Sequence, residues 1–431
     1  MRIRLESVGC RLNIGEMEAV GRRLATSGHQ IVSRDEPADM CVFNSCTVTA
    51  EASRSSRKAI RRLRRNHPDA SLVATGCYAE MSPEEVRSLG ADLVVGNADK
   101  DRLPEALVEA GLLADASPAL HRQMLHLGLT GAGRTRAFLK VQDGCDNRCA
   151  FCIVTVARGP GRSMPADEVI AEASSLVAAG YRELVLTGVH LGSYGIDHGR
   201  PSPRGLADLV RRLLAETSVE RLRLSSLEPW DLDAGFFELF ADPRLLPHLH
   251  LPLQSGCDAT LRRMARRCTT RELADLVGAA RRSIPDLSVS TDVMVGFPGE
   301  TDAEHAASLA FVEERAFSRL HVFRYSPRDG TKAARMAPGV SREIAAERSR
   351  EMLALGARLE RDFAARFLGR RLPVLWEDAE ERVDGRRWRG LTPNYLTVHA
   401  VADPGLDLAN RIQPAVLDGI LDGALTARLA A

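Results

Sequence analysis

Three cysteines lie within one short loop, directly after a strand-like apolar run. Cys145, Cys149 and Cys152 have the spacing C-x3-C-x2-C. A structural zinc site takes four protein ligands, and a fully protein-bound iron–sulfur cube takes four thiolates. Three local thiolates therefore form an incomplete ligand set, which predicts that a substrate or cofactor supplies the missing ligand. The alternative is a zinc loop with a distant fourth ligand, for which His190 and Cys257 are the candidates.

Residues 1–115 alternate between predicted strands and helices. Ser82 followed by Pro83 is typical of a helix start, because serine caps the amino terminus and proline fits the first turn. The βαβα order predicts a doubly wound parallel sheet in an α/β domain. The expected strands are Arg2–Ser7, Met40–Asn44, Ser71–Thr75 and Ala91–Val95, and the expected helices are Gly15–Ser27 and Ala50–Asn66.

A second set of three cysteines follows these strands. Cys10, Cys46 and Cys77 each come directly after a predicted strand, whereas Cys41 lies inside one and is expected in the core. The carboxyl ends of parallel strands meet at one edge of the sheet, where ligands bind. Each of the three alone could be a small buried hydrophobe. Their equivalent positions favour a second three-cysteine metal site.

Residues 134–366 also alternate between strands and amphipathic helices. Six βα units are too few for a closed eight-stranded barrel, so we predict a partial (β/α)6 barrel whose ligands gather at the carboxyl ends of the strands. The expected helices include 165–179, 205–216 and 270–283. The expected strands are Ala137–Val141, Leu184–Leu186, Leu222–Leu224, His250–Leu253, Leu287–Val295 and Leu320–Phe323.

Small and polar residues take over where these strands end. Such residues are also common in ordinary turns. Their recurrence at every strand end nevertheless predicts a ring of groups around a polar cofactor, while His190 is interpreted as a loop or pocket histidine. The candidate cofactor-binding residues are Phe151, Thr187, Gly188, Ser226, Glu228, Gln254, Gly296 and Tyr325.

The cysteine loop with its neighbouring Phe151 resembles the signature of the radical S-adenosylmethionine (SAM) superfamily. Six motifs in order along the chain resemble the methylthiotransferases of that superfamily, and the resemblance covers essentially the whole chain. The motifs are ESVGCRLN at 6–13, NSCTVT at 44–49, TGC at 75–77, the Cys145 loop with ARG at 157–159, LQSGC at 253–257 and DVMVGFPGET at 292–301.

The resemblance implies two 4Fe-4S clusters with different tasks. The cluster held by Cys145, Cys149 and Cys152 would pass an electron to bound SAM and release a 5′-deoxyadenosyl radical. The auxiliary cluster of Cys10, Cys46 and Cys77 would carry the sulfur that becomes methylated and joins C2 of an adenine ring. An aromatic C–H has no useful acidity, so cofactors must supply this step. An electron donor such as flavodoxin or ferredoxin and a sulfur source are the implied partners.

The substrate branch is predicted from local sequence. Thr47-Val48-Thr49 and the segment VFRYSPRDGT at 322–331 resemble the branch that modifies N6-threonylcarbamoyladenosine at position 37 of tRNA. The branches that act on isopentenyladenosine in tRNA or on a ribosomal protein aspartate carry other residues after the second cysteine, and they remain the alternatives. Gly15 and Met17 depart from the pattern of this branch.

The predicted helix 50–66 carries an unusual run of cations. Seven Lys and Arg residues fall within residues 54–65, with no acidic residue among them. A solvated helix face normally mixes both signs of charge, so this face favours contact with tRNA phosphates. The candidate RNA-binding residues on this helix are Arg57, Lys58, Arg61, Arg62 and Arg65.

The segment 367–431 changes character to four short strand-like runs divided by turns, at 373–376, 388–391, 395–398 and 412–417. A small antiparallel β-barrel fits this pattern. It resembles the TRAM RNA-binding domain, in which Trp388 and Arg389 could contact RNA, although an aromatic here could equally be core. Residues 116–133, with Ser-Pro and Gly-Ala-Gly composition, are expected to be a linker.

Composition sets the remaining limits. The chain has 431 residues, a formal net charge of +1 and nine cysteines. Its length predicts two or three domains, and the absence of a long apolar run predicts a cytoplasmic protein without a membrane partner. Reduced thiols in that compartment argue against disulfides. A non-enzymatic, zinc-binding RNA-interaction protein is the remote alternative.

Overall fold

The computed structural model describes residues 1–114, 135–337, 339–382, 385–421 and 423–430. The predicted linker 116–133 lies outside the described residues. Among the helices of the described part, none is both long and apolar enough to cross a membrane.

Residues 1–114 form a five-stranded parallel sheet flanked by helices. The strand order is β2-β1-β3-β4-β5, and all of its pairs are parallel, which confirms the predicted parallel sheet. Only the three-residue strand β2 was not predicted. The elements are β1 Arg2–Ser7, α1 Arg11–Thr26, β2 Gln30–Val32, β3 Met40–Ser45, α2 Ala50–Asn66, β4 Ser71–Gly76, α3 Cys77–Met81, α4 Pro83–Ser88, β5 Leu93–Val94 and α5 Leu103–Glu109.

Both faces of this sheet are covered, as a doubly wound fold requires. Alternate residues of a strand point to opposite faces. In β3, Cys41 and Phe43 join one apolar cluster with α2, while Met40 and Val42 join a second cluster with α1 and α5. The core position expected for Cys41 is confirmed.

Residues 135–337 and 339–365 contain six successive parallel strands in two three-stranded sheets. The sheet orders are β10-β9-β6 and β11-β12-β13, and single bridges such as Ser226 with His250 link them. All six lie where strands were predicted, except that β11 begins and ends a few residues early. The elements are β6 Arg136–Lys140, β7 Gln142–Asp143, α6 Val154–Arg158, β8 Arg162–Ser163, α7 Ala166–Ala178, β9 Glu183–Thr187, α8 Arg204–Glu216, β10 Arg221–Leu224, α9 Ala234–Phe237, β11 His248–His250, α10 Asp258–Arg263, α11 Thr270–Ser283, β12 Ser288–Val295, α12 Asp302–Arg315, β13 Arg319–Arg324 and α13 Arg342–Ala365.

Local sequence explains where these helices begin. Thr269 with Glu272, and Thr301 with Glu304, form reciprocal capping boxes at the starts of α11 and α12. Each box satisfies two backbone N–H groups that have no partner inside the helix. The outer face of β12 places Val289, Val293 and Val295 in the core beneath the helices.

The last segment is a closed five-stranded barrel with the order β14-β15-β16-β18-β17, closed by pairing of β14 with β17. The expectation of a wholly antiparallel barrel needs correction, because β16 and β18 pair in parallel. The fifth strand, β18, was also not predicted. The strands are β14 Arg371–Arg382, β15 Gly385–Leu391, β16 Thr397–Ala402, β17 Ile412–Leu421 and β18 Ala424–Leu429.

The amino-terminal and central parts pack closely through α1 and β6. A Cβ atom added at Gly15 would lie 2.8 Å from the carbonyl oxygen of Phe138, so only glycine allows this approach. The departure from the family pattern at Gly15 therefore lies at an interdomain contact. Tyr395 of the barrel also joins the other two parts, because its hydroxyl accepts hydrogen bonds from Arg11 and Arg136.

Candidate active site

The first three-cysteine set lies at the carboxyl edge of the parallel sheet. Cys10 occupies the position before α1 and after β1, Cys46 follows β3, and Cys77 begins α3 after β4. The strand order reverses between β1 and β3, and a crevice opens at such a switch point in α/β sheets. The structure thus brings together three residues that are far apart in sequence.

Two glycines allow this close approach. A Cβ atom at Gly9 would lie 2.9 Å from the Cys46 sulfur, and Gly76 would meet the Asn44 side chain at 2.3 Å. Both glycines have positive φ angles, +117° and +94°, which favour glycine. The Cys46 backbone is held on both sides by Ser56, whose hydroxyl accepts from the Cys46 N–H at 3.0 Å and donates to its carbonyl at 2.9 Å.

The electrostatics of this set suit a metal rather than free thiolates. Burial raises the pKa of the Cys46 thiol to about 11, and the neighbouring Cys10 and Cys77 sulfurs add to the rise. A cation bound at Cys46 would offset this cost, because a metal ligand must be deprotonated and the positive charge stabilises the thiolate.

The second set lies in the loop after β7. A Cβ atom at Gly144 would lie 1.9 Å from the Pro160 carbonyl oxygen, so the loop closes tightly on the segment after α6. The Gln142 side-chain amide donates to the carbonyls of Asp143 and Gly144 at 2.9 and 2.8 Å. The Cys145 N–H donates to the Gly159 carbonyl at 3.1 Å. These bonds fix the loop before any metal binds.

Two of the loop thiols also have raised pKa values. Burial raises the pKa of Cys152 to about 12, with Cys149 and Cys145 adding to the effect. Burial likewise raises the pKa of Cys149, while Arg266, which donates to the Cys149 sulfur at 3.7 Å, acts in the opposite direction. The three sulfurs therefore form one electrostatic group, as a shared cation requires.

His190 lies beside this set and is held by a carboxylate. Its Nε2 lies 2.5 Å from the Asp231 carboxylate. Burial lowers the pKa of His190, but hydrogen bonds to Asp231 and to the Cys145 sulfur outweigh burial and raise it to about 10. The loop itself supplies three thiols, as a cluster with one open iron needs.

A buried charge network joins the two cysteine sets. Arg158, at the end of α6, donates to Asn13 at 2.8 Å and to Glu16 at 2.7 Å, both on α1. Asn13 Oδ1 in turn accepts from the Cys10 thiol at 3.7 Å. Lys100 donates to the other Glu16 oxygen at 2.8 Å. One guanidinium therefore fixes the helix after Cys10 relative to the helix after Cys152.

Comparison with known proteins identifies the family. Residues 2–96 match the uncharacterized protein family UPF0004, and residues 139–312 match the radical SAM superfamily. The threonylcarbamoyladenosine tRNA methylthiotransferase MtaB of Bacillus subtilis is 36% identical over 408 residues, which cover 92% of this chain and 89% of that protein. The chain belongs to the MtaB-type radical SAM methylthiotransferases.

One further relative and one solved structure are also similar to this methylthiotransferase. A tRNA-2-methylthio-N(6)-dimethylallyladenosine synthase of Cereibacter sphaeroides is 35% identical and covers 93% of this chain and 92% of that protein. The radical SAM methyltransferase TsrM of Kitasatospora setae, solved with cobalamin and a [4Fe-4S] cluster, matches with a TM-score of 0.54 at 16% identity, over 75% of this chain and 74% of that one. This last likeness concerns the fold alone.

The strand ends of this methylthiotransferase carry buried polar atoms that lack a partner. The hydroxyls of Thr187, Ser225 and Tyr325 are buried and make no hydrogen bond to the described residues. Leaving such groups unpaired costs about 1–3 kcal/mol each. Polar atoms of this kind, at the ends of β9, β10 and β13, fit a polar cofactor such as SAM. Ser225 was not predicted, whereas its neighbour Ser226 was.

The other predicted cofactor residues have varied surroundings. Glu228 holds Arg266 through two bonds of 3.0 and 2.6 Å, so it acts on the Cys149 side of the loop through that arginine. Gln254 is buried with a φ of +70°. Phe151 packs edge-on against Phe297 with centroids 6.4 Å apart.

Two predicted glycines have a packing reason of their own. A Cβ atom at Gly188 would lie 2.9 Å from Gln142 Oε1, and one at Gly296 would lie 2.8 Å from Ala345 Cβ. Close packing therefore explains glycine at both positions without a cofactor.

A cavity of about 380 Å³ is lined by residues adjacent in sequence to cysteines of both sets, although no cysteine of either set lines it directly. Its lining includes the residues that directly follow three of the cysteines, Thr47, Tyr78 and Ile153. Arg57 and Arg328 also line it, and Arg328 donates to the Thr47 carbonyl at 3.3 Å. The volume falls in the range of ordinary small-ligand pockets, which is about 300–1,000 Å³.

Helix α2 carries both internally paired and exposed cations. Arg62 bonds to Glu6, Arg64 bonds to Asp92 and to three carbonyls, and Arg57 contacts Tyr78 and Glu85. Four exposed cations have no ion-pair partner among the residues that the structure describes. We call these the basic stripe, which consists of Arg54, Lys58, Arg61 and Arg65. Their spacing of three or four residues places them on one side of the helix.

The two candidates in the carboxyl-terminal barrel differ. Trp388 is 3% exposed and lies in the barrel core, so its ring is not available for stacking on RNA, and the sequence-based expectation for it is corrected. Arg389 is about half exposed and pairs with Asp378 and Glu377.

Sequence reasoning missed the residues that join the two sets. Asn13 and Arg158 lie within the motifs that indicated the family, but the motifs gave them no role. Lys100 and Glu16 carry no local signal at all, because their importance arises only when α1 and the segment after β5 meet. A lysine and a glutamate are ordinary in surface helices, and only burial reveals them.

Proposed function

We propose that this chain methylthiolates C2 of N6-threonylcarbamoyladenosine at position 37 of tRNA, giving 2-methylthio-N6-threonylcarbamoyladenosine. The observation that carries the proposal is the pair of three-cysteine sets, each at strand ends, with one cavity lined by residues that directly follow cysteines of both sets. The similarity to MtaB proteins over most of the chain supports the choice of substrate.

In this proposal each set holds one 4Fe-4S cluster. Cys145, Cys149 and Cys152 hold the cluster that binds SAM, and Cys10, Cys46 and Cys77 hold the auxiliary cluster. When bound, the clusters and SAM supply the radical and sulfur-transfer chemistry that replaces the adenine C2 hydrogen. Six cysteines serve two clusters, so one iron of each cluster stays open to a ligand other than protein.

The residues of the chain orient and enclose the reactants. Thr187, Ser226 and Tyr325, with the unpredicted Ser225, are proposed to bind the polar parts of SAM. Phe151 and Phe297 form an apolar contact behind the cysteine loop and keep water from it. Excluding water matters because a radical that meets solvent is quenched.

The cavity beside the two sets is the proposed place of the target nucleoside. Its lining combines the apolar residues Ala50, Met81 and Ile153 with three cations and two carboxylates, which are Arg54, Arg57, Arg328, Glu85 and Asp329. Arg328 lies in the loop after β13, and Ala50 at the start of α2 donates its N–H to Ser326 in the same loop at 3.2 Å. This loop therefore connects the cavity with the tRNA-facing helix.

The basic stripe is the proposed phosphate contact, and the closed barrel is the proposed TRAM-like RNA-binding domain. Residues 1–115, 134–366 and 367–431 would then be the auxiliary-cluster, radical SAM and TRAM-like domains, with the six-stranded part as the partial (β/α)6 barrel. Flavodoxin or ferredoxin would supply electrons and a separate sulfur source would renew the auxiliary cluster, all in the cytoplasm.

The test is mass spectrometry of tRNA nucleosides from a strain that lacks the gene. The expected result is loss of the 2-methylthio form of threonylcarbamoyladenosine with accumulation of its precursor. Plasmid-borne wild type should restore the modification, C77A and C149A should not, and C268A, which alters a cysteine outside both sets, should. Loss of 2-methylthio-isopentenyladenosine instead would assign the other tRNA branch, and an unchanged profile would direct attention to a ribosomal protein aspartate.

A further inference from the structure

Five polar side chains form a continuous chain across β11, β12 and β13. His248 Nε2 lies 3.1 Å from Ser290 Oγ, which lies 2.9 Å from His250 Nδ1. His250 Nε2 lies 3.2 Å from Asp292 Oδ1, and the same oxygen lies 3.1 Å from His321 Nδ1. Alternate residues of a strand share a face, so the parallel register places all five on the side of the sheet opposite the valine core.

Three members of this hydrogen-bonded series have the geometry of a metal site. The ligand atoms of His250, Asp292 and His321 all lie within 4.8 Å of one another, and no other such group occurs in the described parts of the chain. Ligands about 2.1 Å from one ion lie roughly 3.0–3.4 Å apart at octahedral or tetrahedral angles. The two separations that involve Asp292, 3.1 and 3.2 Å, lie within that range, which also includes hydrogen-bond distances, and the two imidazole atoms lie within 4.8 Å of each other.

The three side chains are exposed to solvent to different extents. The His250 side chain is 9% exposed, that of Asp292 22% and that of His321 39%. β13 is the edge strand of its sheet, and Phe323, two residues beyond His321, is 43% exposed. The group is therefore closed by protein on one side and open on the other.

One imidazole is also oriented by a further residue. Ser290 Oγ can accept a hydrogen bond from the Nδ1–H of His250, and in that tautomer the lone pair of Nε2 is directed towards Asp292 and His321. Metal-binding histidines almost always make a hydrogen bond of this kind through their other nitrogen, and its loss typically weakens metal binding about 10- to 100-fold.

The geometry points to a divalent transition-metal site formed by His250, Asp292 and His321, separate from both cysteine sets. Two imidazoles and one carboxylate on one face of an ion suit Zn²⁺, Mn²⁺, Fe²⁺ or Co²⁺ and leave coordination positions open. The open positions face the exposed edge at β13 and accept oxygen ligands. The carboxylate of the threonylcarbamoyl group is the oxygen ligand that we assign, and this assignment alone rests on the proposed function.

The position along β13 supports a role near the substrate. Tyr325, whose ring contacts Phe297 behind the cysteine loop, is four residues beyond His321. Four residues of a strand span about 13 Å. A bound ion would thus lie roughly 13 Å along the strand from the residue that borders the cysteine loop.

The experiment counts zinc in the full chain after both clusters have been reconstituted, so that the cysteines are occupied. The protein is dialysed to equilibrium against Zn²⁺ in the presence of a weak chelator, and zinc and iron are measured by plasma mass spectrometry. We expect one zinc per chain in the wild type and loss of that zinc in H321A and D292N. H305Q is the matched control, because His305 is also a buried histidine but bonds to Glu351 elsewhere in the fold.

Cobalt distinguishes the possible ligands. Co²⁺ bound by imidazole and carboxylate lacks the sulfur-to-cobalt absorption band that Co²⁺ bound by cysteine shows. Any of three results would refute the site. These are wild type without bound zinc, equal zinc contents in H321A and H305Q, and a cobalt spectrum with the sulfur band. Because His321 is partly exposed, H321A should fold, and S290A supplies a second variant with about 10- to 100-fold weaker zinc binding.

This count uses no tRNA, so it stands or fails independently of the proposed function. The substrate clause has its own measurement, which is the affinity of the protein for the threonylcarbamoyladenosine nucleoside with and without zinc. We expect zinc to tighten binding of this nucleoside and leave adenosine unaffected. Equal effects on both nucleosides would refute the carboxylate assignment while leaving the metal site in place.

Discussion

Replacing Glu16 with glutamine should disrupt the buried charge network that joins the two cysteine sets. Glu16 and Lys100 are each 1% exposed, and Arg158 donates to the same carboxylate. The pKa of Glu16 lies far below its usual value because Lys100 and Arg158 outweigh the effect of burial. An amide carries no charge and accepts at one atom only, so its NH2 group would face the Lys100 or Arg158 donors.

The expected cost follows from the burial of the partners. Among the described residues, the ion-pair partner of Lys100 is Glu16, so E16Q leaves a buried ammonium unpaired. Removing one member of a buried ion pair typically costs about 3–5 kcal/mol. We expect E16Q to lower the free energy of unfolding of the cluster-free chain, measured from its first transition in urea, by roughly that amount. We also expect tRNA methylthiolation in the complementation strain to fall.

An exposed ion pair provides the control. Glu105 pairs with Arg23 on α1, and both side chains are nearly half exposed, so E105Q should cost at most about 1 kcal/mol. The double variant E16Q/K100M removes both charges and should recover part of the loss, because the unpaired ammonium is gone. If E16Q and E105Q lose similar free energies, or if K100M in the E16Q background worsens stability, the reasoning about a buried network is refuted.

Three other perturbations have defined outcomes. Changing the four cations of the basic stripe to glutamine should reduce the slope of log tRNA affinity against log salt, measured by filter binding, by about three to four. R64Q is the control and should leave this slope unchanged, because the Arg64 side chain is bonded within the chain. G144A should lower the iron content of reconstituted protein to about half, since one of two four-iron clusters is lost, whereas G111A, which meets no atom within 4 Å, should retain full iron. Three arginines, Arg223 foremost, outweigh burial and lower the pKa of Glu183 to about 2. Its charge therefore stabilises the fold above about pH 4.5 by roughly 3 kcal/mol, and this contribution is lost as the pH falls towards 2, so the stability gap between wild type and E183Q should narrow over that interval.

Local patterns predicted most of the fold because its strands and helices are regular in sequence. Residues 50–66 and 2–7 were predicted with the bounds that the structure has. β2 was not predicted and β5 was predicted too long, because strands of two or three residues are too short to show a periodicity that distinguishes them from a loop. The parallel pairing of β16 with β18 was not predictable, because short strands between turns give the same pattern for either direction.

The part of the candidate site whose position is set by the ends of the strands was predictable from the sequence. Cys10, Cys46 and Cys77 were expected to converge because each follows a strand of one parallel sheet, and the structure brings them to one edge. Partners that depend on the packing of separate parts were not predictable. The cations of α2 look alike in sequence, and only the structure separates Arg57, Arg62 and Arg64, which bond internally, from the basic stripe.

The buried charges between the two sets have a structural consequence beyond their energy. Apolar side chains of similar volume could fill the same space and would often be as stable or more so. Such a contact, however, tolerates small rotations, because dispersion attraction has no direction. Arg158 binds Asn13, Glu16 and Asp143 through donors at fixed angles, so α1 and α6 can meet in one orientation only. Two clusters that act on one nucleoside must keep a fixed separation, and a directional network satisfies that requirement where an apolar contact would not.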